Sequence, residues 1–206
     1  TLEAAQFVRE SDEGYKLLTV QEKTWETTRQ GLAAKPADRN RIRRETIGEI
    51  FTDSKLRTYR YENLKSFKIG LRVDGEWVGE EGQIPLNILL AEDRDEGVER
   101  GKEARAISNE KRDELWWMAA LSEEVHRLVE EAYRSNEMVV IHERLQAQGK
   151  LPPEQGASLA EEKIRRDRIG RELRTKLGEA WRGGSGFFRG VQYDGSTLGA
   201  TLPDAL

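Results

Sequence analysis

Two long amphipathic segments separated by a pair of prolines restrict the fold of this chain more than any other feature. The apolar residues of both segments recur at helical spacing; the first segment ends near Gln148-Gly149 and the second runs to Gly183-Gly184. Pro152-Pro153 stands between them, where the fixed φ angle and missing amide hydrogen of proline end a helix. The pattern predicts two long helices packed as an antiparallel hairpin over residues 122–182.

Capping-box patterns mark where the other helices begin. In this pattern a hydroxyl or carboxylate side chain precedes a carboxylate by three residues, so that each side chain can accept a hydrogen bond from a free backbone amide. It occurs at Thr19 with Glu22, at Asp93 with Glu96 and at Ser158 with Glu161. The segment after Asp93 has few apolar residues as far as Ile107, so we expect it to form an exposed helix and not a core helix.

Two segments predict β-hairpins. Asp74-Gly75 stands between two apolar runs and readily supplies the positive φ angles of a two-residue turn. Near the amino terminus, the polar residues 11–14 separate two short apolar runs within Phe7–Leu18. We expect an antiparallel pair of strands at each place.

Three further apolar runs predict strands. Residues 84–90 and 114–121 have the length and composition of buried strands, although Met118 and the alanines leave a helix open for the second run. Residues 187–193 are interpreted as one strand, with residues 194–196 as its turn. In each aromatic pair, Trp116-Trp117 and Phe187-Phe188, we expect one ring in the core and the other under a helix or at an interface.

Together these patterns predict an α+β fold in which a small, mostly antiparallel sheet packs against helices. We assign residues 1–57 to an amino-terminal part with a hairpin and helices, and residues 58–206 to an α+β domain that includes the helical hairpin. Between the two parts lies the change from helical spacing, through about Thr52, to strand patterns from Tyr59.

Composition excludes several classes of function. The 34 Lys+Arg residues nearly balance the 38 Asp+Glu residues, and the net charge of -4 provides no general attraction to nucleic acid or to an anionic membrane. The chain has no cysteine, which excludes disulfides, thiolate catalysis and cysteine-based metal sites and fits a cytoplasmic protein. It also lacks an apolar run long enough to span a membrane and a signal-peptide pattern. Because it begins with Thr1 and not methionine, we expect it to be a segment of a longer protein.

Motifs for catalysis or cofactor binding fail on their spacing. Residues 97–103 have two glycines and a lysine, but a phosphate-binding loop needs four residues between the glycines and a hydroxyl after the lysine. His126 and His142 are separated by about 24 Å if both lie on one helix, so they cannot share a metal ion. The sequence has neither a nucleophile elbow nor a pair of carboxylates at catalytic spacing. We therefore predict no catalytic, cofactor-binding or metal-binding residue in this chain, and no enzyme activity of its own.

Arginine clusters are the remaining candidates for a binding site, because guanidinium groups on one helix face suit the phosphates of nucleic acid. The candidates are Arg39, Arg41, Arg43 and Arg44 in one helix, and Arg165, Arg166, Arg168, Arg171 and Arg174 in another. Interleaved acidic residues such as Glu161 and Asp167 would neutralise much of the second cluster. Both readings, a nucleic-acid surface and a solvated helix face, stay open.

The order of the elements resembles a known family. The elements are the hairpin ending in Gly14-Tyr15-Lys16-Leu17-Leu18-Thr19, a Gln-Glu-Lys-Thr-Trp helix, the arginine-rich helix, Tyr61 through Val73-Asp74-Gly75, the strand at Ile84–Leu90, the Trp-rich strand, two long charged helices and Phe188-Arg189-Gly190-Val191. Over most of the chain this order resembles the region downstream of the nucleotide-binding domain in the large P-loop ATPases of BREX phage-exclusion systems, of the PglY and BrxC type.

The resemblance implies a setting and no active-site residue, because the ATPase motifs of that family lie elsewhere in a much longer polypeptide. It implies a bacterial cytoplasmic complex that defends against phage, uses ATP and acts on or near DNA. It also implies that Phe7–Leu18 is the wing of a winged-helix-like unit. The expected function is a non-catalytic scaffold or coupling domain whose partners are the rest of its polypeptide and other subunits. The alternative is a nucleic-acid-binding module that uses the arginine helices.

Overall fold

A computed structural model describes residues 8–11, 14–17, 19–52, 54–62 and 64–194. Its helices are α1 (Val20–Gln30), α2 (Pro36–Thr52), α3 (Arg94–Glu110), α4 (Glu123–Ala147) and α5 (Gln155–Arg182), with a 3₁₀ turn at Lys55–Arg57. Its strands are β1 (Val8–Ser11), β2 (Gly14–Leu17), β3 (Thr58–Tyr61), β4 (Lys65–Val73), β5 (Glu76–Val78), β6 (Ile84–Ala91), β7 (Leu115–Ala120), β8 (Ser185–Phe188) and β9 (Val191–Asp194). Residues 7, 12, 13 and 18 of the predicted amino-terminal hairpin and residues 195–196 of the predicted last turn lie outside the described residues. The predicted α+β class is confirmed.

The chain forms two compact units. Unit 1 consists of residues 1–39 and 129–171, and unit 2 consists of residues 40–128 and 172–206. This division differs from the predicted boundary between residues 57 and 58. The boundary between residues 57 and 58 therefore stays a prediction.

Unit 1 is mostly helical, apart from the predicted hairpin in which β1 pairs with β2 in antiparallel register. Helix α1 begins with the predicted capping box, since the side chain of Thr19 accepts from Glu22 N and Glu22 accepts from Thr19 N. Its Trp25 packs with apolar residues of α4 and α5, among them Val139 and Leu159. The core of unit 1 therefore joins α1 to parts of both long helices.

The long helices run antiparallel, as predicted. In unit 1, Glu143 of α4 pairs with Lys163 of α5 at 2.7 Å. The predicted capping box at Ser158 is wrong, because α5 begins earlier, at Gln155, whose amide bonds to the carbonyl of Pro152. The turn after the two prolines already has helical form and starts the helix.

Unit 2 is built on a mixed sheet with the order β3-β4-β6-β7-β8-β9, and β5 pairs with the end of β4. Strands β4, β6 and β7 run parallel, whereas the other pairs are antiparallel. The prediction of a mostly antiparallel sheet is therefore only partly correct. The hairpin turn at Asp74-Gly75 is confirmed, with φ angles of 47° and 87°.

The expectation that α3 is an exposed helix is only partly correct, because most of its residues are exposed but one face packs on the sheet. Helix α3 connects the parallel strands β6 and β7 and packs on β6, β7 and β8, as a crossover helix must. Its buried residues are the small Gly97, Ala104 and Ser108. Small side chains let a helix approach a sheet closely without a broad apolar stripe, and the apolar pattern therefore underestimated its burial.

Helices cover the other face of the sheet. Residues Ile47 of α2 and Leu177 of α5 lie against Ile88 of β6 and Ala119 of β7 around a small apolar gap. With helices on both faces, both members of the pair Trp116-Trp117 are buried, 8% and 4% exposed. Trp116 packs with Ala104 of α3, and Trp117 Nε1 donates to the carbonyl of Trp181 in α5 at 3.0 Å.

The predicted single strand over residues 187–193 is wrong, because the chain turns at Arg189-Gly190 between β8 and β9. Arg189 and Gly190 have φ angles of 51° and 77°, as the two central residues of a type I′ turn require. Arginine is uncommon at such a position, which is why the turn was not predicted. Asp194 instead ends β9.

Candidate functional site

The carboxyl ends of the parallel strands form a candidate ligand site, because ligands of open α/β sheets bind at this edge. Strand β4 ends next to Asp74, and β6 ends next to Glu92. Both carboxylates accept from arginines, with Arg43 of α2 on Glu92 and Arg100 of α3 on Asp74. We name Arg43, Asp74, Glu92, Glu96, Arg100 and His126 the carboxyl-edge cluster.

The centre of the carboxyl-edge cluster is a bidentate ion pair. Arg43 Nη1 and Nη2 donate to the two carboxylate oxygens of Glu92 at 2.6 Å and 2.9 Å. Arg43 Nη2 also lies 2.9 Å from His126 Nδ1, and His126 Nε2 lies 2.7 Å from the carbonyl oxygen of Glu92. Because a guanidinium only donates, Nδ1 accepts from Arg43, and Nε2 donates to the carbonyl oxygen of Glu92. The three side chains tie α2, the β6–α3 junction and α4 together.

The electrostatics of this centre do not suit a general base. The hydrogen bonds from Arg43 lower the pKa of Glu92, and the charges of Arg43 and Arg100 add to this effect. Glu92 therefore stays ionised, with both oxygens bound to a guanidinium that never releases its proton. Both ring nitrogens of His126 are also occupied. The arrangement is a set of polar contacts that hold secondary-structure elements together.

A second set of contacts extends the cluster along the same edge. Asp74 Oδ1 accepts from the amide of Leu90 and from Arg100 Nη1, both at 3.2 Å. Arg100 Nε donates to Glu96 Oε1 at 2.8 Å, and Glu96 Oε2 accepts from the amide of Glu92 at 2.7 Å. Each carboxylate of the carboxyl-edge cluster thus has an arginine partner.

Unit 1 contains a second group of charges, of which Arg29 and Glu162 are buried and Glu131 is half-buried. Arg29 Nε donates to Glu162 Oε1 at 3.0 Å, and its Nη2 donates to Glu131 Oε2 at 2.7 Å and to Ser135 Oγ at 3.0 Å. Trp25 Nε1 donates to Glu162 Oε2 at 3.0 Å. The side chains of Arg29 and Glu162 are only 4% and 1% exposed. We name these five residues the buried charge network.

The pKa values within this network show that its charges support one another. Burial alone would raise the pKa of Glu162, but Arg165, the hydrogen bonds from Ser135 and Trp25, and Arg29 outweigh it and lower the pKa. Burial would also raise the pKa of Glu131, but the two arginines beside it, Arg29 and Arg134, lower it. Conversely, burial would lower the pKa of Arg29, and Glu131 and Glu162 raise it. The network is therefore ionised and holds α1 against α4 and α5.

The predicted arginines of the first cluster all have carboxylate partners. The pairs are Arg39 with Glu130 at 2.5 Å, Arg41 with Glu45 at 3.4 Å, Arg43 with Glu92 at 2.6 Å and Arg44 with Glu76. The side chain of Arg43 is 5% exposed and belongs to the carboxyl-edge cluster. These partners compete with phosphate for the same guanidinium groups.

The arginines of the second predicted cluster differ in their exposure and in their contacts. Arg165 is 16% exposed and pairs with Glu26 at 2.7 Å, while Arg166 pairs with its neighbour Asp167 at 3.0 Å. Arg168 and Arg171 are exposed on α5, and Arg174 is half-buried. Nucleic-acid binding by the nine predicted arginines stays a prediction.

The two histidines have separate structural surroundings. His126 belongs to the carboxyl-edge cluster, whereas His142 is 8% exposed and packs against Trp25 with ring centroids 4.2 Å apart and ring planes tilted by 38°. The ring nitrogen Nδ1 of His142 lies 2.7 Å from the carbonyl of Met138 and donates to it. Among the described residues no group of three or more His, Cys, Asp or Glu side chains is arranged to hold a metal ion. Residues 97–103, the failed phosphate-binding pattern, form part of helix α3.

Sequence reasoning missed Glu92 and Asp74, although one signal pointed to them. An acidic residue directly after a buried strand lies at the ligand-binding edge if the strands are parallel. The strands were expected to be mostly antiparallel, and that expectation removed the signal. The buried charge network left no such pattern, because its partners are more than a hundred residues apart in the chain.

No known protein family, curated protein or solved structure matches this chain. None of the helices in the described part of the chain is long and apolar enough to cross a membrane.

Proposed function

We propose that this chain is a non-catalytic coupling domain of a large P-loop ATPase in a bacterial phage-defence complex. Its partners are the rest of its own polypeptide and other subunits of that complex, in the cytoplasm. One observation carries the coupling role: the chain passes between units 1 and 2 at three points, and each of them lies inside a continuous helix, α2, α4 or α5.

Helical crossings suit coupling for a mechanical reason. A flexible linker lets two bodies move independently, whereas a continuous helix has a hydrogen bond at every residue and resists bending. In unit 1 the buried charge network contacts α4 and α5, and in unit 2 the Arg43–Glu92–His126 centre contacts α2 and α4. A displacement of one unit is therefore passed to helices that belong to the other core.

Gly170 provides a sharp test of this role, because it is exposed near the end of the unit 1 part of α5 and an added Cβ would meet no neighbouring atom within 4 Å. Gly170→Pro breaks the helix by removing a hydrogen bond, at a cost of about 3 kcal/mol. Gly170→Ala strengthens it and serves as the matched control. In the full-length protein we expect both variants to hydrolyse ATP, and only the proline variant to lose phage exclusion.

Amide exchange in α1 and in β6 checks that both units of the proline variant stay folded. A folded proline variant that still excludes phage would overturn the coupling role. The ATPase assignment has its own test in the encoding gene: we expect a phosphate-binding loop and an acidic magnesium-binding strand upstream of this segment. A complete reading frame without them would overturn that assignment and leave the coupling test unaffected.

The alternative function is a nucleic-acid-binding module that uses the predicted arginine helices. The exposure of Arg168 and Arg171 on α5 favours it. Substituting both with Gln should weaken binding to a DNA duplex at low salt and reduce its salt dependence, as the loss of phosphate contacts requires. Unchanged binding would exclude this surface.

A further inference from the structure

A shallow basin of about 480 Å³ lies where the second half of α3 meets the β8–β9 turn. It is lined by Lys102, Arg105, Ala106 and Asn109 of α3 and by Arg189 and Gly190 of the turn. We name it the cationic basin. Three of its six lining residues carry positive charge, and none carries negative charge.

The turn is fixed to α3 by hydrogen bonds. The amide of Gly190 donates to Ser108 Oγ at 3.0 Å, and Arg105 Nε donates to the carbonyl oxygen of Gly190 at 2.8 Å. Arg189 Nε donates to the carbonyl oxygen of Arg112 at 3.2 Å. The basin is therefore built by contacts on both sides and is not a chance gap between loops.

Arg189 occupies a backbone position that does not favour arginine. Its φ angle of 51° lies in the left-handed region, where type I′ turns normally have Asn, Asp or Gly. A residue with a Cβ and a long side chain is less stable there. Strained residues of this kind cluster at functional sites, so the position points to a use for the guanidinium.

The guanidinium groups of the basin are open to a ligand. Arg105 and Arg189 each use Nε to hold the turn, and neither forms an ion pair with an acidic side chain in the described part of the chain. The Arg189 guanidinium also lies over the Phe188 ring, 4.9 Å from its centroid, which restrains its plane. Lys102 has one partner, Glu99 at 2.7 Å, and both are about 70% exposed, so this pair is weak.

A purely structural explanation accounts for only part of this arrangement. Holding the β8–β9 turn against α3 explains the hydrogen bonds that Arg105 and Arg189 donate. Each arginine needs only its Nε atom to hold the turn, whereas the terminal nitrogens that remain are the atoms that bind phosphate in pairs. Holding the turn against α3 also does not explain why residue 189 is arginine, because glycine or asparagine would be more stable at its left-handed φ angle.

We propose that the cationic basin binds the phosphodiester backbone of nucleic acid. The arginine fork matches two phosphate oxygens, and the amide of Asn109 adds a donor. The basin is shallow and open, which suits an extended polyanion, and its lining lacks the aromatic residues on which a base would stack. The inference does not rest on the coupling function, and it uses different residues from the predicted arginine helices.

The test compares the wild-type chain with the triple variant Lys102→Gln, Arg105→Gln, Arg189→Asn. Asparagine is chosen at position 189 because it tolerates the left-handed φ angle. Binding to a labelled duplex of about 20 base pairs is followed by fluorescence anisotropy from about 50 to 200 mM salt. We expect the triple variant to lose roughly 10- to 100-fold in affinity at low salt, and the slope of log affinity against log salt to fall by about 2 to 3.

Controls separate the basin from general charge and from folding. Arg144→Gln removes one exposed positive charge from α4, at a residue that does not line the basin, and should leave affinity within about twofold. The variant Arg105→Lys, Arg189→Lys should recover part of the affinity, because lysine still binds phosphate as a point charge. The thermal unfolding midpoint of the triple variant should stay close to that of the wild type.

Three results would overturn the proposal. One is the absence of duplex binding at about 50 mM salt, where phosphate contacts are strongest. Another is duplex binding whose affinity and salt slope the triple variant leaves unchanged, which would place the surface elsewhere. The third is saturable binding of inorganic pyrophosphate without duplex binding, which would assign the basin to a small phosphate ligand. None of these results bears on the Gly170 test.

Discussion

Units 1 and 2 have different interiors, since that of unit 1 contains ionised side chains and that of unit 2 is apolar. The interior of unit 1 contains the ionised Arg29 and Glu162, 4% and 1% exposed, beside a small apolar group around Trp25. The interior of unit 2 is a sheet whose fully buried residues, such as Leu71 and Ile88, are apolar. Its ion pair between Arg43 and Glu92 lies at the carboxyl edge of the sheet. The difference teaches that one chain can build one interior that contains ionised side chains and another that is apolar, with its ionised side chains at the edge of the sheet.

The two kinds of interior have different physical consequences. Apolar burial is non-directional and tolerates small movements, whereas a buried ion pair stabilises only one geometry and costs much if a partner is lost. Unit 1 is thus specific in how α1 meets α4 and α5. Unit 2 relies on the packing of helices against both faces of the sheet.

The largest effect is expected from Arg29→Met. It leaves Glu131 and Glu162 without their shared partner in a buried site, at a cost of about 3–5 kcal/mol in the free energy of unfolding. Urea unfolding combined with amide exchange in α1 measures this cost where it arises. The control Arg127→Met changes an arginine of α4 that is 62% exposed and should cost little. A loss below about 1 kcal/mol for Arg29→Met would show that the network does not stabilise unit 1.

The matching change in unit 2 is Ile88→Ala, at a residue that is 1% exposed in the central parallel strand β6. It removes buried methyl groups and leaves a cavity, with an expected cost of about 2–5 kcal/mol. The loss should be seen in the amide exchange of β6. Val98→Ala, at a residue of α3 that is 60% exposed, is the control. If Ile88→Ala is neutral, the apolar sheet is not the stabilising core of unit 2.

Acid should destabilise unit 1 before unit 2. The pKa values of Glu131 and Glu162 are lower in the folded chain than their ordinary value of 4.5. The stability that they contribute is therefore present above pH 4.5 and is lost as the pH falls below it through the folded pKa values. Amide exchange in α1 as the pH is lowered from neutral should rise before that in β6. Loss of protection in both units at the same pH would contradict the proposed difference between the cores.

The variant Glu162→Gln checks the origin of this acid effect. It replaces the carboxylate with a neutral group of similar shape, so unit 1 should be less stable at neutral pH and should lose less stability in acid. If its acid profile equals that of the wild type, other carboxylates are responsible.

The smallest effects concern the starts of α1 and α3, which allow a matched comparison. Thr19→Ala in unit 1 and Asp93→Ala in unit 2 each remove an N-cap hydrogen bond, at about 1 kcal/mol. Only Thr19 has the reciprocal bond from its own amide to Glu22, whereas Glu96 binds the amide of Glu92. Urea midpoints for the two variants measure the costs. A cost above about 2 kcal/mol for either would show that the cap also orders the packing of its helix.

Much of the secondary structure could be predicted because its signals are local. The Thr19 capping box, the Asp74-Gly75 turn and the break at Pro152-Pro153 depend on a few neighbouring residues and were confirmed. The start of α5 and the turn at Arg189-Gly190 were missed, because in both cases the chain uses residues that the usual signals do not include.

The sites were less predictable because they depend on which distant segments meet. Arg43 was predicted for its charge, but its role as the partner of Glu92 and His126 follows from the packing of α2, β6 and α4. The cationic basin likewise combines α3 with a turn about eighty residues later. No spacing within either segment indicates these pairs.

By itself the sequence determined the local elements: where helices start, where the two long helices break, and which runs are apolar enough to be strands. Caps, prolines and turn dipeptides act over three or four residues, so their effect can be read without the fold. Only the tertiary structure decided that β4, β6 and β7 are parallel, that α3 packs on the sheet through its small residues, and which charges are paired. The physical reason is that strand direction, burial and ion pairing are set by contacts between distant segments, and these form only when the whole chain packs.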